Sequence, residues 1–323
     1  MTPLRIIVMG TGPFAVPMFT ALRATPHTIV AVVTRPDHAP PGRRPPRNPM
    51  REAAAAAGVG ILDPERVNEP TVVASLAALR PDLFVVCDYG QILSRDLLAV
   101  PPLGGINLHG SLLPRHRGAA PVQWAVINGD PETGVAIMQL DEGMDTGPVL
   151  LERRVTIDPH ETSGELLARL APIGAQALLE ALTAIAEGRA HAVPQDHAGA
   201  THAAMLDKTH GHIDFTQPAR ALAARIRGVD PWPGAQALHR GQVVKLFRAV
   251  DRGRPPGTEV PGTVVAIDDA GLHVVCGEDL AVIREIQAPG RKRLTAAQFA
   301  AGRGIAVGDV LRQPVLEPAV VSR

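Results

Sequence analysis

The segment GINLHGSLLPRHRGAAP, residues 105–121, begins as a short apolar strand that carries two polar side chains near its end. Asn107 and His109 are two residues apart, so on a strand they lie on one face. An Asn amide and a His N–H that point to the same place can both donate hydrogen bonds to an oxyanion. The alternative is that Asn107 caps a turn and His109 is a hydrogen-bonded core residue. For an Asn and a His considered without other residues, this alternative is slightly favoured.

A second candidate is the acidic loop MQLDEGMDTGPVL, residues 138–150. A strand is predicted to end at Leu140, and the loop after it then brings Asp141, Glu142 and Asp145 to the edge of the sheet that carries His109. At that edge a carboxylate would orient the imidazole or take up a proton through water. A solvated loop or a helix N-cap is the alternative role for these acids.

Three further patterns are weaker evidence for a functional site. GTGPFA, residues 10–15, matches the dinucleotide pattern G-x-G-x-x-A, and Arg35 would suit a 2′-phosphate. The acidic residue expected at the end of the second strand is missing, so a tight turn beside a substrate site is the favoured interpretation. Ser111 lacks the G-x-S-x-G context of a hydrolase nucleophile. The histidines of residues 191–212 have no i,i+4 pair on a helix, so no metal site is predicted.

Hydrophobic patterning predicts the elements that must position these side chains. LRIIVMG, a helical segment and TIVAVVT form a strand–helix–strand unit, which predicts a parallel sheet whose ligands bind at the carboxyl ends of its strands. Residues 1–188 are therefore predicted to form one α/β domain. Further strands are predicted at residues 58–62, 82–89, 105–109, 133–140 and 149–157, and helices at 49–57, 70–80, 120–128 and 161–187.

The pattern changes after residue 188. Residues 189–208 are polar and contain Pro and His, which predicts a linker. Residues 209–323 begin with a short helix, PARALAARIRG, and continue as short strands separated by turns about every 8–12 residues. That spacing is typical of a small β-barrel, so we predict a second domain over residues 209–323.

The composition limits the class of protein. Of 323 residues, 46% are hydrophobic and 20% are charged, as in soluble globular chains with a substantial core. An apolar stretch of about 18 residues is missing, so no membrane span is predicted. Nothing near the N-terminus resembles a signal peptide. Cys87 and Cys276 lie in separate strand-like runs, which predicts buried free thiols in a reducing cytoplasm.

The net charge of zero conceals an uneven distribution. Residues 1–208 carry 17 Lys and Arg against 21 Asp and Glu, whereas residues 209–323 carry 15 against 11. A positively charged C-terminal module suits contact with a polyanion, and an ordinary solvated surface is the alternative.

Taken together, these segments resemble the methionyl-tRNA formyltransferase family, within the folate-dependent formyltransferase superfamily. The most specific block is INLHGSLLPRHRGAAPVQWAVINGDPETGVAIMQLDEGMDTG, in which SLLP is followed by a basic RGAAP-type run. GTGPFAVP, TRPD, DYGQIL, DPWPGA, GTVV and APGRKRL match as well, so the resemblance extends over essentially the whole chain.

The resemblance implies a Rossmann-like formyltransferase domain with a parallel-type sheet, followed by a C-terminal OB-like β-barrel that helps to bind tRNA. It implies a cytoplasmic enzyme of translation initiation that transfers the formyl group of 10-formyltetrahydrofolate to the α-amino group of initiator methionyl-tRNA without a metal. We expect it to act as a monomer.

The family's site residues can be carried onto this sequence position by position. Its catalytic residues correspond to Asn107, His109 and Asp145. Its folate-binding positions correspond to Ser111, Leu112, Leu113, Pro114, Tyr89, Gly90, Gln91, Ile92, Leu140 and Gly143. The expected tRNA contacts are Arg43, Arg44 and Arg47 in the basic loop, residues 35–49, and Lys245, Arg248, Arg291, Lys292 and Arg293 in the barrel.

Two positions depart from the family pattern. GTGPFA stands where the family has a sequence closer to GTP-x-FA, and Asp88 stands where it has Ala before Tyr-Gly, near the expected pterin pocket. Arg115 and Arg117 receive no role. The alternative activities are glycinamide ribonucleotide or sugar-nucleotide formyl transfer, formyltetrahydrofolate hydrolysis or dehydrogenation, an NADP-dependent reductase, and a non-catalytic tRNA-binding module.

Overall fold

The computed structural model describes residues 3–37, 46–253 and 257–314. The chain divides into two compact units, each assembled from separate stretches of sequence. Unit 1 comprises Met1–Pro121, Thr133–Val155 and Leu167–Ala204, and unit 2 comprises Val122–Glu132, Thr156–Leu166 and Met205–Arg323. The main block of unit 2 begins inside the predicted linker, residues 189–208.

Unit 1 contains a seven-stranded sheet and a separate pair of short strands. The sheet strands are β1 (Arg5–Gly10), β2 (Thr28–Val33), β3 (Ile61–Leu62), β4 (Leu83–Cys87), β5 (Gly105–His109), β7 (Glu132–Gln139) and β8 (Val149–Thr156), and the separate pair is β6 (Arg117–Gly118) with β9 (His202–Ala203). The sheet order is β3-β2-β1-β4-β5-β7-β8. The pairs from β3 to β5 are parallel and the pair β5–β7 is antiparallel, so the sheet is mixed and mostly parallel.

Eight α-helices are described, and side chains cap the first turn of several of them. They are α1 (Ala15–Arg23), α2 (Pro49–Ala56), α3 (Pro70–Ala78), α4 (Arg95–Leu98), α5 (Pro121–Ile127), α6 (Ser163–Ala186), α7 (Ala219–Gly228) and α8 (Ala296–Ala301). The Asn48 side chain accepts a hydrogen bond from the backbone N–H of Arg51 before α2, and Ser94 does the same for α4. Such caps satisfy N–H groups that the first helical turn leaves unpaired.

The core of unit 1 lies on the central strands. Ile6, Ile7, Phe84 and Val85 are fully buried, which shows that β1 and β4 are covered on both faces. This is the usual arrangement of parallel strands in α/β proteins. Because the strands are held over their length, the loops at their carboxyl ends start from rigid positions.

Helix α6 is long and apolar enough to cross a membrane by length and composition, and half of its most apolar stretch is buried in the protein. Its buried side chains include Leu166, Leu170, Leu178 and Leu182. Core helices meet the same criterion, so one such helix is weak evidence for a membrane span.

Unit 2 contains an antiparallel sheet. Its strands are β10 (Ala235–His239), β11 (Gln242–Asp251), β12 (Val264–Asp268), β13 (Gly271–Val275), β14 (Leu280–Gln287) and β15 (Leu294–Thr295). The order is β10-β11-β14-β13-β12, and β15 also pairs with β14. This arrangement is consistent with the predicted barrel-like domain. The sequence patterns missed the short elements α4, α8, β6, β9 and β15.

Candidate active site

Strand β5 delivers the two polar side chains to one face of the sheet, as its pattern predicts. Ile106 and Leu108 are buried on one face, while Asn107 and His109 lie on the other. Asn107 pairs with Val86 of β4 and with Met138 of β7, so both neighbours of β5 fix its position. The amide and the imidazole therefore start from the centre of the sheet.

His109 is 5% exposed and has one ring nitrogen engaged by the backbone. Its Nε2 lies 2.9 Å from the carbonyl oxygen of His116. A carbonyl only accepts hydrogen bonds, so Nε2 carries a hydrogen. Nδ1 lies 3.6 Å from Oδ2 of Asp145 and carries a second hydrogen only when the ring is positively charged.

Asp145 approaches both of these residues from the loop after β7. Its Oδ1 lies 3.5 Å from the amide nitrogen of Asn107, and its Oδ2 accepts a hydrogen bond from the backbone N–H of Gly118 at 2.8 Å. Its backbone has the left-handed φ of 55°, which is uncommon among residues other than Gly. The structure thus brings Asn107, His109 and Asp145 together, while their catalytic roles stay a prediction.

The other two acids of this loop have different surroundings. Asp141 Oδ1 accepts hydrogen bonds from the Thr146 hydroxyl at 2.7 Å and from the backbone N–H of Gly143 at 3.0 Å. Glu142 is exposed and forms a long ion pair with Arg95 at 3.8 Å. Asp141 therefore braces the loop that presents Asp145.

The residues that hold this site in place were missed by sequence reasoning. Gln195 donates hydrogen bonds to the carbonyl oxygens of Asp145 and Gly147, at 2.9 and 2.7 Å. The Thr201 hydroxyl accepts from the backbone N–H of His116 at 2.8 Å. Gln195 and Thr201 lie in the predicted linker, where no periodic pattern marks them. Residues 189–204 therefore pack as part of unit 1.

Arg117, to which the sequence assigns no role, also contacts Gln195. Its Nη2 donates to Oε1 of Gln195 at 2.7 Å and contacts Nδ1 of His197 at 3.0 Å. The neighbouring residue Gly118 supplies the backbone N–H that binds Asp145.

The SLLP segment is partly core. Ser111 is fully buried, and its hydroxyl donates to the carbonyl oxygen of Arg115 at 2.7 Å. Leu113 is 8% exposed and packs with Met138 and Leu140. Leu112 and Pro114 are partly exposed. The buried Ser and Leu hold the segment, which leaves Leu112 and Pro114 available to a ligand.

The DYGQIL segment shows the same division. Tyr89 is 2% exposed, and burial raises its pKa to about 12. Gln91 accepts a hydrogen bond from the backbone N–H of Val67 at 3.0 Å. Ile92 is 52% exposed although it is a large apolar residue. Gly90 and Gly143 are exposed and Leu140 is partly exposed, so this region offers apolar and backbone surface.

Asp88 lies against the glycine turn after β1. Its carbonyl accepts a hydrogen bond from the backbone N–H of Thr11 at 2.9 Å. A Cβ on Gly12 would lie 1.7 Å from Oδ2 of Asp88, so the two departures from the family pattern are in contact and a side chain at position 12 would displace the Asp88 carboxylate. Burial raises the pKa of the Asp88 carboxyl to about 6.

Arg35, the candidate for a 2′-phosphate, is tied to the same region. Its guanidinium donates to the carbonyl oxygen of Gly90 at 3.0 Å. This contact gives the arginine a structural partner within unit 1.

The predicted tRNA-binding arginines and lysines fall into four groups. Arg43 and Arg44 lie outside the described residues. Arg47, Arg248 and Arg293 are ion-paired with Glu52, Glu165 and Glu285 respectively. Arg291 and Lys292 are exposed and line a cavity of about 560 Å³ together with Arg240. Lys245 is partly exposed on β11.

Arg293 is the most constrained of these residues. Its guanidinium stacks on the Phe247 ring at 3.8 Å and lies 3.6 Å from the carboxylate of Asp230. A cation held by two carboxylates and a ring stabilises the fold of unit 2. Of the RKR run, Arg291 and Lys292 are the better candidates for contact with a polyanion.

Within the described ranges, no group of three or more His, Cys, Asp and Glu could hold a metal ion. Both thiols are free and buried. Burial raises the pKa of Cys87 well above its ordinary value and that of Cys276 to about 11, so neither thiol is a ready nucleophile.

The chain matches two family models, Formyl transferase over residues 4–182 and Formyl transferase, C-terminal domain, over residues 205–304. A methionyl-tRNA formyltransferase from Desulfotalea psychrophila is 44% identical, covering 96% of this chain and 96% of that protein. One from Myxococcus xanthus is also 44% identical, covering 94% of this chain and 97% of that protein.

Solved structures share the fold at low identity. HypX from Aquifex aeolicus, in complex with tetrahydrofolic acid, has a TM-score of 0.63 at 16% identity and covers 97% of this chain and 49% of that chain. The sugar 3N-formyl transferase WlaRD has a TM-score of 0.65 at 15% identity and covers 90% of this chain and 100% of that chain. These matches confirm the predicted fold class. From the family models and the 44% identity over nearly its whole length, the chain belongs to the formyl transferase family.

Proposed function

We propose that this protein transfers the formyl group of 10-formyltetrahydrofolate to the α-amino group of initiator methionyl-tRNA. The observation that carries the proposal is the assembly of Asn107 and His109 around the Asp145 carboxylate, in a chain whose full-length relatives are methionyl-tRNA formyltransferases. The products are N-formylmethionyl-tRNA and tetrahydrofolate.

The reaction is an acyl transfer between two nitrogens. The α-amino nitrogen forms a bond to the formyl carbon, and the bond between that carbon and N10 of the folate breaks. The proton that the amine loses ends on N10, so atoms and charges balance. An α-amino group with an ordinary pKa of about 7.7–8.0 needs little activation. The larger task for the protein is to stabilise the negative charge that develops on the formyl oxygen.

Asn107 and His109 are placed for that task. The Asn107 amide lies at the outer hydrogen-bonding limit of 3.5 Å from Asp145, so its N–H groups are free to turn to a substrate oxygen. In the positively charged form of His109, the Nδ1–H is the second donor, because Nε2–H is occupied by the His116 carbonyl. One such donor contributes about 3–4 kcal/mol to transition-state stabilisation.

Asp145 supports the histidine and carries protons. Its carboxylate lies 3.6 Å from Nδ1 of His109, where it faces the imidazole and can orient it. Through a water molecule, the same carboxylate can take the proton from the incoming amine and return it to the leaving nitrogen. This sequence of steps needs no covalent bond between enzyme and substrate.

The folate substrate supplies the activated formyl group. The residues proposed to bind it are the accessible members of SLLP and DYGQIL and the loop after β7. Ile92 and Met144, which are 52% and 47% exposed, provide large apolar side chains that suit a flat ring. The buried Tyr89 and Leu113 would support that surface from below.

Binding of tRNA is proposed to rest on charge. Arg291, Lys292 and Lys245 are the described candidates in unit 2, and Arg43 and Arg44 are further candidates in the basic loop. Basic side chains that contact phosphates give salt-dependent binding. Because its substrates belong to translation, we place the protein in the cytoplasm, where we expect it to act as a monomer.

The test is direct formyl transfer by the full chain. Purified protein is incubated with 10-formyltetrahydrofolate and initiator methionyl-tRNA, and N-formylmethionine on the tRNA is measured by mass spectrometry. We expect one tetrahydrofolate for each formyl group transferred. Formylation of free methionine, or of an amino sugar nucleotide alone, would refute the proposal.

A further inference from the structure

Gln195 lies between α6 and β9 and is 8% exposed. The segment around it, residues 189–201, contains no strand or α-helix, yet the Gln195 side chain makes four hydrogen bonds within unit 1. A buried amide whose donor and acceptor groups are all hydrogen-bonded fixes the position of the groups it binds.

The amide nitrogen of Gln195 holds the catalytic loop. Nε2 donates to the carbonyl oxygen of Asp145 at 2.9 Å and to that of Gly147 at 2.7 Å. Asp145 has a φ of 55°, a conformation that is unfavourable by about 1–3 kcal/mol for a residue other than Gly. Such a conformation persists only where the surroundings hold it. The two hydrogen bonds from Gln195 hold the backbone of the loop at Asp145 and Gly147.

The amide oxygen of Gln195 holds Arg117, the residue before the one whose backbone binds the Asp145 carboxylate. Oε1 accepts from Nε and Nη2 of Arg117, at 3.2 and 2.7 Å. The next residue, Gly118, donates its backbone N–H to Oδ2 of Asp145 at 2.8 Å. One side chain therefore fixes both the backbone of Asp145 and the strand that binds its carboxylate.

The orientation of this amide is determined by its partners. Both carbonyl groups can only accept and the guanidinium can only donate, so the nitrogen must face the loop and the oxygen must face Arg117. A glutamate at this position would keep the contact with Arg117. Its second oxygen would face the carbonyl oxygens of Asp145 and Gly147, to which it cannot donate a hydrogen bond.

We propose that Gln195 is a positioning residue for catalysis: it sets the place of Asp145 beside His109 and Asn107 without touching either substrate. The inference rests on the proposed formyl transfer. Its consequence is that the loss of the Gln195 amide lowers kcat while the binding of folate and tRNA is retained.

The experiment compares Gln195→Glu and Gln195→Met with the wild-type chain. Gln195→Glu removes the donor to the loop, and Gln195→Met removes donor and acceptor at similar length. Formyl transfer is measured as kcat and as KM for each substrate, and kcat is normalised to the number of folate-binding sites so that unfolded protein is not counted. The matched control is Gln236→Glu on β10, a partly exposed position in unit 2.

We expect both Gln195 variants to lose about 10- to 100-fold in normalised kcat, since displacement of a catalytic group by about 1 Å can have an effect of this size. Both KM values should change less than about threefold, and Arg117→Met should show a smaller loss of kcat in the same direction. A purely structural role would reduce the folded fraction and leave normalised kcat unchanged, which would overturn the inference. If the wild-type chain transfers no formyl group to methionyl-tRNA, it is the proposed function that fails.

Discussion

Asn107 is the residue whose proposed contribution to the reaction is the easiest to isolate. Its amide has one long contact, to Asp145 at 3.5 Å, and its neighbours Ile106 and Leu108 hold the strand. Asn107→Ala should therefore keep the fold and remove one oxyanion donor. We expect kcat to fall by about 10²- to 10³-fold with little change in folate affinity.

Steady-state formyl transfer and equilibrium folate binding check this expectation. Asn128→Ala, at an exposed position after α5, is the control and should behave as wild type. An unchanged kcat in Asn107→Ala would remove Asn107 from the mechanism.

Asp88 makes a prediction about stability and pH. Burial raises the pKa of its carboxyl from an ordinary 3.8 to about 6, so the folded state holds this proton more tightly than the unfolded state. The stabilising effect is full below about pH 4 and is lost as the pH rises to about 6. Above that pH the partly desolvated negative charge of the carboxylate is unfavourable.

Asp88→Asn should accordingly raise the free energy of unfolding near pH 7 and have little effect near pH 4. We expect a gain of about 1 kcal/mol, less than the full shift implies, because the residue as a whole is exposed and water screens the charge. Urea unfolding at the two pH values measures it. A variant that is less stable than wild type at pH 7 would show that the carboxylate has a favourable partner.

At the residue scale, the sequence predicts the positions of those side chains that lie on a strand. Asn107 and His109 could be assigned to one face because strand periodicity is strict. The end of β7 does not place Asp145 beside His109, because β7 is antiparallel to β5 and its Gln139 pairs with Ile106; Asp145 reaches His109 through the loop that follows. The position of Gln195 could not be predicted either, because it reaches Asp145 from 50 positions away through a segment without periodicity.

At the scale of elements, the short pair β6–β9 connects Asp145, which is bound by Gly118 of β6, with the segment after α6. Gly118 in β6 has a φ of +121°, and a Cβ there would lie 2.6 Å from the carbonyl oxygen of Ala203 in β9. Gly118→Ala should force the two strands apart and move the N–H that binds Asp145. We expect a loss of about 1–3 kcal/mol in unfolding free energy and about a tenfold or larger loss of kcat.

Gly58→Ala is the matched control for this substitution. Gly58 also has a positive φ, +67°, but a Cβ there would meet no atom within 4 Å. It should lower stability through backbone strain alone and leave normalised kcat unchanged. Equal losses of kcat in the two variants would show that β6 has no special connection with the site.

The elements themselves follow closely from hydrophobic patterning, with informative exceptions. β1 and β4 are continuous apolar runs, and their parallel pairing follows from the helices between them. The pair β5–β7 is antiparallel, which the strand pattern alone does not encode, because the direction of β7 depends on the path taken by residues 110–131. β6 and β9 are two residues each and are formed by tertiary contact alone.

At the scale of the whole molecule, the near-neutral chain carries its excess positive charge after residue 208. Not all of that charge is available to a polyanion. Arg248 and Arg293 are ion-paired with Glu165 and Glu285, whereas Arg291 and Lys292 lie exposed beside a cavity. The RKR run thus divides into one residue that stabilises unit 2 and two that are accessible to phosphate.

This division predicts different outcomes for neighbouring substitutions. Arg291→Ala with Lys292→Ala should raise KM for tRNA and reduce the slope of log KM against log salt, by about 0.9 for each phosphate that the variant no longer neutralises. Arg293→Ala should lower the free energy of unfolding, because Phe247 and Glu285 lose their partner. Formyl transfer at several salt concentrations and thermal unfolding distinguish the two effects. If the double variant keeps the wild-type salt slope, Arg291 and Lys292 do not touch phosphate and the tRNA is bound by other residues.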